Sequence, residues 1–152
     1  MKRIFDTFLV QRLKQMFAKV AHLNDTPEKI AAGFAIGAFI GVFPTFWLGG
    51  IITVALCALF RLNYVAGFAG STIIMNPVTT PLFWLLSAAV GGLIFFGDVG
   101  TAMAAFRNHN GLNHWGGMAL IYAAGNIIVS SVVAAVSYYV VLRIMRSKRG
   151  NK

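Results

Sequence analysis

Acidic residues are nearly missing from this chain. Asp6, Asp25, Glu28 and Asp98 are the only ones in 152 residues. Acid–base and nucleophilic catalysis need placed acids, bases or nucleophiles, and the apolar stretches offer almost none. There is no lysine-bearing glycine-rich phosphate loop, no HExxH motif and no Ser-His-Asp set. A non-enzymatic role is the expectation. Cysteine is reduced to Cys57, which excludes an internal disulfide and a cysteine-rich metal site. It sits in an apolar run and reads as a small core residue. His109 and His114 share a segment with Asp98, but their spacing matches no standard ligand pattern. His22 reads as interfacial. No metal and no other cofactor is expected.

Charge of either sign is also scarce. Charged residues make up 11% of the chain and hydrophobic ones 58%, whereas a soluble domain has roughly a quarter of its residues charged. The chain reads as an all-α integral membrane protein. The net charge of +9 would point to nucleic acid in a soluble protein, but its placement argues otherwise. Lys2, Arg3, Arg12, Lys14, Lys19 and Lys29 lie at one end, and Arg143, Arg146, Lys148, Arg149 and Lys152 at the other. Only Arg61 and Arg107 lie between. That is the positive-inside pattern, with both termini cytoplasmic.

Three regions follow: an amphipathic helix over 1–25, a membrane domain over 26–145 and a basic cytoplasmic tail over 146–152. Residues 2–23 have charges throughout and no cleavage site, so they do not read as a signal peptide. At 100° per residue Phe5, Leu9, Leu13, Met16 and Val20 share one face. Gln11, Lys14 and Gln15 lie opposite. This predicts a helix on the cytoplasmic leaflet with its cations near anionic headgroups, or one packed on a neighbouring subunit. The basic tail is expected to meet the same headgroups.

Thr26, Pro27 and Glu28 form a helix start: a cap, a first-turn proline and an acid at the positive end of the dipole. The predicted helix runs from Ile30 to Phe43, and Pro44 stops it. Gly33, Gly37 and Gly41 fall along one face, so another backbone can approach closely. Its partner is either within the chain or on another copy, and Gly37→Leu is expected to disturb assembly. Fourteen residues reach only about 21 Å, short of a hydrocarbon core of about 30 Å. A second short run spans Phe46 to Phe60. The two read as a proline-broken, re-entrant hairpin that returns Arg61 to the cytoplasmic side. The alternative is a pair of tilted full crossings, which need about 17 residues each.

The next apolar run, Tyr64 to Phe96, is broken by Asn76-Pro77-Val78-Thr79-Thr80-Pro81. Two prolines remove two donors and clash with the preceding turn, and Asn76 is pushed towards an extended backbone. The break is either a surface loop between two helices or a broken transmembrane helix. In the second case its freed polar groups must be buried in protein or line a cavity. Residues 98–116 read as an external loop, and 117–145 as a long C-terminal transmembrane helix. The stretches 30–60 and 64–96 are each interrupted by proline, a pointer to a transporter-type site.

Gly33-Phe34, Gly37, Phe39, Gly41 and Pro44, then Arg61 and Asn63, then Asn76-Pro77, Thr79 and Pro81 together resemble a bacterial family. Its members are small membrane proteins catalogued as domain of unknown function 2062. The motifs span residues 27–97. The family often carries glycine soon after the proline. Here Thr45-Phe46-Trp47 intervenes before Gly49-Gly50, so the hairpin tip differs. The resemblance implies a bacterial inner-membrane location and relatives fused to glycosyltransferases that use polyprenyl carriers. It implies no established activity.

Arg61 is the one cation in the middle of the apolar sequence. It either snorkels to the surface or pairs with an anion, and arginine binds phosphate bidentately. Asn63, Asn76, Thr79 and Thr80 add amides and hydroxyls, although Asn76 can be spent capping its own break. Asn126 and Ser130 read as glue between helices. Two functions remain. One is an inner-membrane carrier or channel-like protein for a small or lipid-linked anion, of polyprenyl-phosphate or phospholipid type. Arg61, Asn63, Asn76, Pro77, Thr79 and Thr80 would line its path, and Gly33, Gly37, Gly41, Pro44 and Pro81 would serve packing or hinge roles. The other is a non-transporting scaffold or partner subunit of an envelope enzyme such as a glycosyltransferase. A homo-oligomer is expected because so small a chain can hardly enclose a polar cavity alone. A dry, apolar surround at Asn76 would argue against the carrier.

Overall fold

The computed structural model describes residues 25–45, 48–76, 78–98, 100 and 112–150, with side chains over 116–148 of the last stretch. The amphipathic helix expected over 1–25, with His22, lies outside them except for Asp25. So do Pro77, His109 and most of the 98–116 loop. The described residues form five helices and no strand: α1 (Pro27–Val42), α2 (Gly49–Leu59), α3 (Tyr64–Ile74), α4 (Thr80–Phe96) and α5 (Leu112–Gly150).

Local chemistry sets the ends. Thr26 accepts a hydrogen bond from the Lys29 amide at 3.3 Å, with Pro27 and Glu28 in the first turn of α1. This is a capped start with a proline that gives up no needed donor. α1 therefore begins three residues before the expected Ile30. Proline at position 44 prevents a further turn. α2 is shorter than the expected run from Phe46, because the Thr45 and Leu48 amides are taken up in a tight turn. Asn63 caps α3 through the Ala66 amide at 2.8 Å. α4 has Pro81 in its first turn and ends at Gly97, whose φ of 71° is left-handed. α5 runs on at both ends beyond the expected 117–145, and its last turns include residues 146–150 of the stretch read as a tail. There Arg146 meets Glu28 of α1 at 2.9 Å.

Glycine faces decide which helices touch. A methyl group on Gly33, Gly37 or Gly41 would strike Asn63, then Gly67 and Ser71, then Ser71 and Ile74. The pairs ascend together, so α1 and α3 run parallel with backbones in contact. The glycine stripe is thus used inside the chain, by α3. α2 returns antiparallel between their ends: Cys57 lies beside Gly33, with its thiol 3.9 Å from the Gly33 carbonyl oxygen, and Gly49 lies near Ile40 and Met75.

α5 is the common spine. Ile30, Ala31 and Phe34 of α1 and Ala66 and Ala69 of α3 pack with Val141 and Met145. Further along, Gly125 lies against the Ser87 carbonyl and Gly91 against Ile121, so α4 also runs antiparallel to α5. α1 and α4 barely touch each other. The hairpin and α3 therefore occupy one half of the spine's length. α4 continues in the direction of α3 along the other half.

Burial is distributed unlike that of a soluble domain. The covered side chains include Thr53, Asn63, Ser71, Ser87, Asn126 and Ser130, whereas Leu59, Phe60, Leu85, Phe95, Leu120 and Tyr139 face outward. Small and polar residues at helix contacts with large apolar ones outside are the packing pattern of helices in lipid. Among the described residues one helix, Gly116–Lys148, is long and apolar enough to cross a membrane, with a mean hydropathy of 2.0.

Candidate functional site

Beside the break lies an open, largely apolar cavity of about 600 Å³. Phe43 and Pro44 from the end of α1, Phe68 and Met75 from α3, and Pro81 and Trp84 from α4 make most of its wall. It exists because three chain ends meet there. α1 stops at Pro44, α3 stops before Asn76, and α4 starts only at Thr80. Ser71, Thr72, Asn76 and Thr80 supply its polar atoms. Among the described residues no cation lines it.

The break satisfies much of its own polarity. The Asn76 side-chain oxygen accepts from the Val78 amide at 3.0 Å, and its carbonyl accepts from the Thr79 and Thr80 amides at 3.0 and 2.9 Å. The Thr79 hydroxyl donates to the Ile74 carbonyl at 2.6 Å. The Ser71 and Thr72 hydroxyls both bond to the Phe68 carbonyl. The Asn76 backbone amide donates to the Ile74 carbonyl at 2.9 Å, while its side-chain nitrogen, Nδ2, meets no acceptor among the described residues. Asn76 is half-buried on the cavity wall.

The candidate path residues fall into two groups. Asn76 and Thr80 line the cavity, with Thr79 in the turn between them. Pro77 lies outside the described residues. Arg61 and Asn63 are at the other end of α3, whose 11 residues span about 16 Å. Asn63 is a corner latch. It caps α3, its amide nitrogen donates to Asp25 at 2.9 Å, and its backbone amide reaches the Lys29 carbonyl at 3.4 Å. Arg61 closes α2 in a Schellman arrangement. Its amide donates to Ala58 at 3.2 Å and the Leu62 amide to Cys57 at 2.8 Å. The left-handed residue of that motif is usually glycine, yet Arg61 holds it with φ 52° and an exposed side chain. Pro44 and Pro81 both face the cavity, whereas Gly33 and Gly37 are purely packing positions.

A second polar node joins the two halves. The Asn126 amide nitrogen lies 3.3 Å from the Val42 carbonyl, 3.1 Å from the Ser87 hydroxyl and 3.5 Å from the Tyr122 hydroxyl. Val42 ends α1, so this bond serves a carbonyl that has lost its helical partner. The reading of Asn126 as glue between helices agrees with this geometry. Its exact partners lie 84 and 39 residues away, which no local pattern announces.

These features define a class: a small all-helical protein whose long apolar helix carries a proline-broken pair and a short hairpin, with a cavity where they meet. Within that class, the chain belongs to the family described as an uncharacterized protein conserved in bacteria (DUF2062), whose model matches residues 10–152. No curated protein and no solved structure matches it significantly.

Proposed function

We propose that the chain is an inner-membrane carrier whose substrate is a lipid-linked anion, and that the cavity at the break takes the lipid chain. The largely apolar surround at Asn76 counts against a polar path for a free anion, as expected above; what carries the lipid form of the reading is the cavity itself, about 600 Å³ with mostly apolar walls that suit a hydrocarbon chain. A hydrated small anion would lose its water there without gaining a cation, so the small-anion form of the hypothesis is set aside. An apolar chain needs no such compensation. In this reading α1 and α2 form a re-entrant hairpin entered from the cytoplasmic side, α3 and α4 form one broken crossing, and α5 is the second crossing. Support comes from the parallel run of α3 and α4, from the short hairpin helices, and from the cations at both ends. Both termini are cytoplasmic, and the basic ends meet anionic headgroups. Several copies assemble, since one chain leaves the cavity open on one side.

The test is reconstitution in liposomes with fluorescent phospholipid or polyprenyl phosphate, following head exchange between leaflets. The reading expects exchange above protein-free vesicles for at least one anionic lipid. Absence of exchange for all of them contradicts it. The scaffold reading draws on the internal engagement of Asn63, Thr79 and Asn126, which leaves few polar groups for a substrate. A stoichiometric envelope enzyme, such as a glycosyltransferase, cross-linked in native membranes would favour it where exchange is absent.

A further inference from the structure

Tyr64, Phe68 and Thr72 follow one another at four-residue steps along one side of α3, in a row that turns slowly round the helix, and Asn76 lies just past its end. Tyr64, Phe68 and Thr72 are exposed, and Phe68, Thr72 and Asn76 reach the cavity wall. This row starts three residues after the exposed Arg61 and ends at the cavity, some 16 Å away along the helix axis. We propose that this row is a binding track for one long-chain lipid phosphate, its head on Arg61 and its chain running over Tyr64 and Phe68 into the cavity. The proposal rests on the lipid-carrier reading and adds the orientation and the headgroup.

Charge and shape choose this occupant. Among the described residues the cavity end offers amide and hydroxyl groups but no cation, so a phosphate finds no counter-charge from them there. Arg61 is an exposed cation with no carboxylate partner among the described residues. The fold places it where glycine would be easier. Its guanidinium matches phosphate bidentately. A lipid whose chain is shorter than α3 cannot hold both ends at once, whereas a long one can. Inorganic phosphate gains only the Arg61 contact.

Trp84 on the cavity wall reports the chain. With Trp47→Phe and Trp115→Phe, it is the only tryptophan of the three left. The protein in phosphatidylcholine nanodiscs is titrated with lysophosphatidate carrying a dibrominated oleoyl chain, and with the monoacylglycerol of the same chain. The expected result is Trp84 quenching by both, with the phosphate lipid about tenfold tighter. Arg61→Gly should erase that margin, and Phe68→Ala should weaken both lipids together. Neither hexanoyl lysophosphatidate nor inorganic phosphate should displace the long-chain probe at matched concentrations. Equal binding of the two lipids, a margin that survives Arg61→Gly, an unaffected Phe68→Ala, or displacement by inorganic phosphate overturns the proposal. Quenching that ignores the headgroup leaves the lipid cavity standing and removes only the track to Arg61. No quenching by either lipid removes both.

Discussion

Gly37 of α1 stands directly against the Gly67 carbonyl of α3, and the Ser71 amide nitrogen lies 2.7 Å from where a Gly37 methyl would sit. Backbone, not a movable side chain, occupies the space. Gly37→Leu must push α1 and α3 apart, which costs about 3 kcal/mol or more in a packed interface. The expected phenotype is a lower melting temperature and yield, while surviving protein keeps its wild-type mobility on a blue-native gel. A smaller assembled species at unchanged melting temperature would return the stripe to a contact between copies.

The parts of this arrangement that chain chemistry dictates were legible in advance. Thr26, Pro27 and Glu28 announce α1, the three glycines announce a close neighbour, and Asn76-Pro77 announces a break. A glycine stripe states that some backbone comes near; it does not say whose, and only the fold supplies α3. The candidate path was less legible. Arg61 and Asn76 bracket a single helix, so helical rise alone keeps them about 16 Å apart. Asn63 looked like a path residue because its amide is polar in an apolar run. Its cap to Ala66 is local, an asparagine just before an apolar run, whereas its bond to Asp25 emerges only when the α2–α3 corner folds back onto the start of α1. The cavity has no sequence signature beyond the break, since its walls come from three helices.

Arg61 is held with φ 52°, a conformation that costs an L-residue of this kind about 1 kcal/mol or more. Arg61→Gly should therefore stabilise the protein by about 1 kcal/mol, read as a rise in the midpoint of thermal or denaturant unfolding. A fall in that midpoint would show that the arginine side chain contributes more to the fold than its backbone costs.

Asn126 couples the end of α1 to α4 through Val42 and Ser87. Replacing it by leucine strands the Val42 carbonyl and the Ser87 hydroxyl. Interhelical bonds of this kind in membranes contribute about 1 kcal/mol each, with a maximum near 2 kcal/mol. Asn126→Leu should lower stability by about 1–2 kcal/mol, and Ser87→Ala should cost less when added to Asn126→Leu than alone. Additive losses in that double-mutant cycle would separate the two side chains.

Glu28 and Arg146 meet at 2.9 Å where α1 starts and α5 ends. The Arg146 hydrogen bond, helped by the helix's own backbone, holds the Glu28 carboxyl below its ordinary value of 4.5. A carboxyl with a lowered folded value stabilises the fold above the ordinary range, and that contribution is lost as pH falls through the lowered one. Melting temperature should thus decline on acidification, and Arg146→Gln should flatten the Glu28 part of that decline. Identical acid limbs in the two proteins would mean that the pair is not formed in the membrane-bound state.

The depth of the break decides between a lined cavity within the membrane and a loop on its surface. Val78 is the reporter, being in the turn and 71% exposed. In a Cys57→Ser background, Val78→Cys is treated with a bulky membrane-impermeant maleimide, first in intact spheroplasts and then after lysis. Asn110→Cys, expected to label from outside, and Ser147→Cys, expected to label only after lysis, serve as references. With the break at membrane depth, Val78→Cys stays unlabelled in both conditions and labels fully once the membrane is dissolved in SDS. Labelling before detergent, from either side, would put the break at the surface and contradict a membrane-depth cavity.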